Sequence, residues 1–126
     1  RPMNYHFELA KQLLTLRRKG VLIIGSGNIV HNLRLSMVNM RNNSNKPYEW
    51  AVEFDEWTKK QLENRDFKSL VNYQQKGTIA TLAVPTVDHY VPMLYSIGLA
   101  NKNEELHQFY EEIDLGGISM RCFQVG

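Results

Sequence analysis

Aliphatic residues stand in an unbroken row at Val21-Leu22-Ile23-Ile24 and run straight into Gly25-Ser26-Gly27-Asn28. A short continuous apolar run rich in β-branched residues and closed by a glycine loop predicts a strand buried on both faces, as in the interior of an α/β sheet. The segment before it sets Met3, Phe7, Ala10, Leu13 and Leu14 at helical spacing up to Arg18, with Pro2 suited to the start and Gly20 to the stop. The basic residues Arg17, Arg18 and Lys19 complement the helix dipole as solvated charge. A helix feeding a buried strand that ends in a glycine loop predicts an α/β fold, and in open α/β sheets ligand sites gather beyond the carboxyl ends of the strands. His31 stands just past that end.

Farther along, Trp50, Phe54, Trp57, Gln61 and Leu62 fall on one helical face, while Glu53, Asp55, Glu56, Lys59 and Lys60 are expected to point away. Phe67, Leu70 and Val71 predict a second short helix before Gly77. Thr78 to Val84 alternates small and apolar residues and reads as a weak strand or extended loop. Tyr90 to Ala100 reads as a helix that begins near Asp88 or His89, because Pro92 has to occupy its first turn. His89 is thereby placed at a helix mouth. Ile118 to Phe123 reads as a closing strand. Asn42 to Pro47 is a polar loop too short for a domain linker, so the chain is expected to form part of one domain.

With 15 basic and 13 acidic residues among 126, the net charge is +2. That balance provides no one-signed field to gather nucleic acid, and no apolar run approaches the roughly 20 residues of a membrane-spanning helix. No nucleic-acid partner and no membrane span are expected. Cys122 is the single cysteine and cannot form an internal disulfide, which fits a reducing, cytoplasmic setting. On its strand it reads as a small packed hydrophobe and not as a nucleophile. The first residue is Arg1, and the chain reads as cut from something longer.

The loop Gly25-Ser26-Gly27-Asn28-Ile29-Val30 begins like a dinucleotide-binding turn, but Val30 replaces the third glycine and no acidic residue closes a following strand. A nucleophile elbow at Ser26 fails because Ile24 stands where glycine is needed. Among the histidines, His6 lies in the amphipathic first helix and His107 in a charged stretch beside Glu104 and Glu105, so both read as structural or solvated. His31 and His89 each follow a turn at the mouth of an element, where an imidazole can face a cleft. Any site they share has to be assembled by the fold, since 58 positions separate them.

The stretch Gly25-Ser26-Gly27-Asn28-Ile29-Val30-His31-Asn32-Leu33-Arg34, with Pro85-Thr86-Val87-Asp88-His89-Tyr90-Val91-Pro92-Met93, resembles the class III extradiol ring-cleaving dioxygenases, in the branch similar to DOPA dioxygenase. Asn4 to Leu9 and Ile118 to Phe123 also look like that family. The second motif departs at Val87, where the family commonly has Pro, and at Met93, where it commonly has Leu. The likeness covers nearly the whole chain but only the C-terminal half of the family's domain.

The resemblance implies a single α/β domain around a mixed sheet flanked by helices, of which residues 1–126 form the C-terminal portion while the N-terminal half is absent. It implies a metal-dependent enzyme, with Fe(II) or Zn(II), that inserts both atoms of O₂ into a catechol such as DOPA and opens the ring. His31 matches the acid/base histidine, also near the metal in zinc-bound forms, and His89 matches a metal ligand. Further histidine ligands would lie in the N-terminal half, so this piece alone is expected to be inactive. Asp88 is a candidate to orient a ligand or to cap a helix, and Asn28 and Arg34 are candidates to line the pocket. The competing expectations are a non-enzymatic metal-binding or interaction module on the same fold and a phosphate site at Gly25 to Asn28.

Overall fold

The computed structural model describes all residues, Arg1–Gly126. The first helical stretch forms as α1 (Met3–Gln12) and α2 (Leu14–Arg18), with a tightened turn at Leu13, whose N–H bonds the Ala10 carbonyl at 2.9 Å. A segment without regular secondary structure follows through the glycine loop to α3 (Leu33–Arg41). Then come α4 (Glu49–Glu63), α5 (Phe67–Val71), a 3₁₀ turn at Tyr73–Lys76, α6 (Thr78–Ala83) and α7 (Val91–Gly98). The strands close the chain: β1 (Leu106–Tyr110) pairs antiparallel with β4 (Cys122–Val125), and β2 (Ile113–Asp114) pairs antiparallel with β3 (Ile118–Ser119). The mixture of helices and sheet agrees with the expected α/β class.

The core lies where α4, α5, α6 and α7 meet. Phe54, Leu62, Leu70, Leu94 and Ile97 are buried there, and Tyr73 and Tyr90 add an aromatic pair with ring centroids 4.5 Å apart. Tyr90 is fully enclosed, and its hydroxyl donates to the Leu70 carbonyl at 2.9 Å, which satisfies the polar end of an otherwise apolar side chain. Because Tyr90 directly follows His89, this anchor also fixes the turn that carries the imidazole.

Several expectations need correction. Thr78–Ala83 is a helix and not a strand: Ala80 and Ala83 recur at i, i+3 and are buried, so the small side chains let α6 lie close against the core. Asp55 does not point to solvent but is buried. It accepts hydrogen bonds from Ser119 Oγ at 2.6 Å and from Arg121 Nε and Nη2 at 3.1 and 2.6 Å, and the Arg121 side chain is wholly enclosed. Cys122 lies on a strand as expected, yet it is exposed and not packed. Val21 to Ile24 forms no strand and is not buried on both faces: Leu22 and Ile24 are 79% and 78% exposed. No helix is long and apolar enough to cross a membrane.

The enclosed guanidinium pairs with Asp55 and also, at 2.9 Å, with the half-exposed Glu111, so losing Asp55 leaves it only partly compensated. Asp55→Ala is therefore expected to destabilise the chain by about 3 kcal/mol in chemical denaturation, the low end for a broken buried pair. A second ion pair ties the ends of the chain together. Arg17 donates to both carboxylate oxygens of Glu104 at 2.9 and 2.8 Å and to the Leu99 carbonyl at 2.7 Å. These bonds hold the Glu104 carboxyl at about 2 instead of 4.5. A carboxylate whose pKa is depressed on folding contributes stability above its unfolded value and loses that contribution as the pH falls toward the folded one. Stability is expected to drop between about pH 4.5 and 2, and Arg17→Leu should flatten that part of the pH–stability curve.

Candidate active site

His31 is positioned from two sides. Its N–H donates to the Ala83 carbonyl at the end of α6 at 2.9 Å, and its backbone forms an antiparallel bridge with Ile118. The neighbouring main chain is held to the same strand: Ser119 N–H donates to the Val30 carbonyl at 2.9 Å, and Asn28 Nδ2 donates to the Ser119 carbonyl at 2.8 Å. Asn32 then caps α3, accepting from Leu35 N–H at 3.1 Å while its own amide donates to the Leu82 carbonyl at 2.9 Å. Asn28 and Asn32 therefore serve as structural ties. Arg34 is exposed.

His89 arrives from the turn before α7, which begins at Val91, two or three residues later than the sequence suggests, with Pro92 in its first turn. The glycine loop fits closely against that turn. A Cβ on Gly27 would come within 2.2 Å of the His89 carbonyl, and one on Gly25 within 2.6 Å of the Pro92 carbonyl. The same His89 carbonyl accepts from Asn28 N–H at 2.9 Å. These glycines thus serve close backbone approach between loop and helix mouth, and this replaces the dinucleotide reading of the loop with a packing role.

The outcome is that His31 and His89, 58 positions apart, stack face to face with ring centroids 3.6 Å apart and planes within 16°. Both are half-buried. Desolvation lowers the pKa of His31 from 6.5, the neighbouring His89 lowers it further, and Asp88 partly opposes this. Asp88 Oδ2 lies 3.4 Å from His89 Nε2. A hydrogen bond from the Thr86 side chain is the main reason the Asp88 carboxyl sits below its usual range, so it is available as an anion at neutral pH. A cavity of about 610 Å³ opens beside His89, between residues 21–27 and β4; His31 is not among its lining residues.

The other histidines lie apart from this pair. His6 Nδ1 pairs with the Tyr95 hydroxyl at 3.1 Å, and His107 lies on β1 near Phe109. No group of three or more His, Cys, Asp or Glu side chains converges to hold a metal ion. Imidazole suits Fe(II) or Zn(II) as a nitrogen donor, and the two imidazoles of His31 and His89 alone fall short of a closed coordination set.

No protein-family profile matches the chain. Over its full length it is 38% identical to the 4,5-DOPA dioxygenase extradiol of Escherichia coli K12, of which it covers 46%. It is 30% identical over 91% of its length to the protein of the same name from Beta vulgaris, covering 41% of that chain. This chain resembles the 4,5-DOPA extradiol dioxygenases. It spans about half the length of the curated relatives it matches. The whole chain also superposes, with a TM-score of 0.87 and 36% identity, on 51% of an uncharacterized protein from Escherichia coli K12 whose crystal structure is known.

Within this DOPA dioxygenase-like half, the motif histidines were visible in the sequence, but their supports were not. Tyr90, Ser119 and the Asp55–Arg121 pair carry no signal of their own. The glycine packing yields a prediction: Gly27→Ala must push the loop off the His89 carbonyl. It is expected to cost about 1–3 kcal/mol in thermal or chemical unfolding and to abolish the mutual ring-current shifts of the two imidazoles in NMR spectra.

Proposed function

We propose that the chain supplies the acid/base histidine and one metal-binding histidine of an extradiol dioxygenase that opens the ring of a catechol such as DOPA. The observation that carries this reading is the 3.6 Å stack of His31 on His89 beyond a glycine loop, in a chain 38% identical to a protein named for that activity. His89 would offer an imidazole nitrogen to Fe(II) or Zn(II) with His31 beside the ion, the other ligands coming from outside residues 1–126. A bound ion would supply Lewis acidity, lowering the pKa of a catechol hydroxyl and bringing diol and O₂ within reach of each other.

The residues of this chain have definable tasks. Burial and the neighbouring imidazole favour the neutral form of His31, and a neutral imidazole is the form that accepts a proton from a catechol hydroxyl. It can return that proton to an oxygen atom as the O–O bond breaks. Asp88, anionic and 3.4 Å from His89 Nε2, favours a defined orientation of that ring. Overall, the carbon–carbon bond beside the two hydroxyls breaks and both oxygen atoms end in the product as a carboxylic acid and an aldehyde. No external reductant is needed.

Two imidazoles do not complete an oxygenase site, so the isolated chain is expected to show no turnover. An intact protein carrying it, given Fe(II), air and DOPA or another simple catechol, is expected to form a yellow ring-opened product. His31→Ala should lower kcat by about 10²–10⁴, and His89→Ala should reduce metal content in elemental analysis. Absence of product from every simple catechol would refute the assignment. Metal uptake without turnover would point instead to a non-enzymatic metal-binding module.

A further inference from the structure

Two main-chain bonds hold His31 in register with β3. Asn32 N–H donates to the Gly117 carbonyl at 3.0 Å and Ser119 N–H to the Val30 carbonyl at 2.9 Å, and between them His31 stands opposite Ile118 in an antiparallel bridge. Side chains alternate faces along extended backbone, so a slip of one residue in this pairing would turn the His31 imidazole to the opposite face. A ladder this short needs support at both ends. At one end the Ser119 carbonyl accepts from Asn28 Nδ2, and the Ser119 hydroxyl donates to Asp55. The other end, Gly117, lies in the turn between β2 and β3.

That turn does not hold its shape unaided. Leu115 and Gly116 both have positive φ, 47° and 74°, in a region that disfavours a leucine. The ties that hold it come from α3 and from the residues that follow α3. Asn39, buried on α3, donates from Nδ2 to the Leu115 carbonyl at 3.3 Å and to the Lys46 carbonyl at 3.0 Å. Tyr48 N–H donates to the Gly116 carbonyl at 2.9 Å. Gly116 fits so closely that a Cβ there would run into Asn39 Nδ2 and lie 2.5 Å from the Lys46 carbonyl oxygen. One turn earlier on α3 stands Ser36, wholly buried, whose Oγ pairs with no protein group and would lie 2.8 Å from a Cβ on Gly117.

We infer that Asn39 is a positioning residue for His31: by fastening the β2–β3 turn to α3 it sets the register of the bridge, and with it the face on which the imidazole stands. Asn39 acts through the backbone and not by touching the rings. The helix that carries it starts directly after His31, capped by Asn32, while the turn it grips presents Gly117 and Ile118 to Asn32 and His31. Helix and turn thus close on His31 from both directions. A side-chain amide suits this place because it offers two N–H donors to carbonyls from two different segments. The consequence for catalysis rests on the function proposed above; the consequence for the stacked rings does not.

The test reads the ring-to-ring nuclear Overhauser effects and mutual ring-current shifts of His31 and His89 by NMR in this chain. Asn39→Leu, similar in bulk but without a donor, is expected to abolish both signals while helical circular dichroism persists. Asp66→Ala is the control: it removes the α5 cap that accepts from Ser69 N–H at 3.1 Å and should leave both signals intact. Gly117→Ala provides a second route, since its Cβ must push the turn off Ser36 and weaken the same signals. Adding Ser36→Ala removes the clashing oxygen, leaves the next contacts at 3.4 and 3.5 Å, and should restore them. In an intact protein carrying the chain, Asn39→Leu should lower kcat by about 10²-fold with KM little changed. A folded Asn39→Leu chain that keeps the full ring signals would overturn the inference, as would an equal loss in Asp66→Ala. Where Asn39→Leu unfolds the chain, the Gly117→Ala pair decides: no loss in the single variant, or no recovery in the double, also overturns it. Failure of the parent protein to cleave catechol would count against the proposed reaction alone, because the ring signals need neither metal nor turnover.

Discussion

The contact of Gly27 with the carbonyl of His89 sets the geometry on which the site depends. There is no room for a Cβ at that point, and the next residue, Asn28, donates its N–H to the same carbonyl at 2.9 Å. The approach brings the glycine loop against the mouth of α7, so the side chain at position 31 meets the one at position 89. The other flank of the loop is tied to β3 through Val30 and Asn28. Strand β3 is in turn pinned to α4 where Ser119 and Arg121 share the buried Asp55 carboxylate. A buried ion pair, a short strand and a side-chain-free loop thus form one continuous mechanical support for two imidazoles.

The electrostatics of the pair follow from that support. Partial burial and the ring stacked 3.6 Å away both disfavour a positive charge on His31. Burial is the largest influence lowering the His31 pKa, the His89 charge adds to it, and Asp88 offsets only part. The neutral imidazole so favoured is at once the ligating form and the proton-accepting form. The packing that brings the rings together therefore also selects the protonation state the proposed chemistry requires.

Much of this was legible in the sequence where local signals were strong. The helical spacing of Trp50, Phe54 and Leu62, the proline in the first turn of α7 and the turn residues before His31 and His89 each dictate local structure directly. The misreadings arose where tertiary packing overrode local pattern. Thr78–Ala83 has a composition that suits a strand, but the burial of Ala80 and Ala83 against the core makes it a helix. Asp55 reads as one more solvated charge on α4 until Arg121, 66 positions away, brings a guanidinium to it. Pattern reports which face of an element is apolar. It does not report which distant side chain compensates a buried charge.

The segment Val21–Ile24 carries the opposite lesson. Its composition predicts a strand buried on both faces, while Leu22 and Ile24 stand in solvent with their peptide groups unpaired by main chain. Apolar side chains gain roughly 25 cal/mol per Å² on leaving water, but peptide groups removed from water need partners of their own. Composition reports the first demand and says nothing of the second: with no neighbouring strand to take up its N–H and carbonyl groups, this segment leaves them to solvent, and Leu22 and Ile24 stay at the surface beside the loop that carries His31.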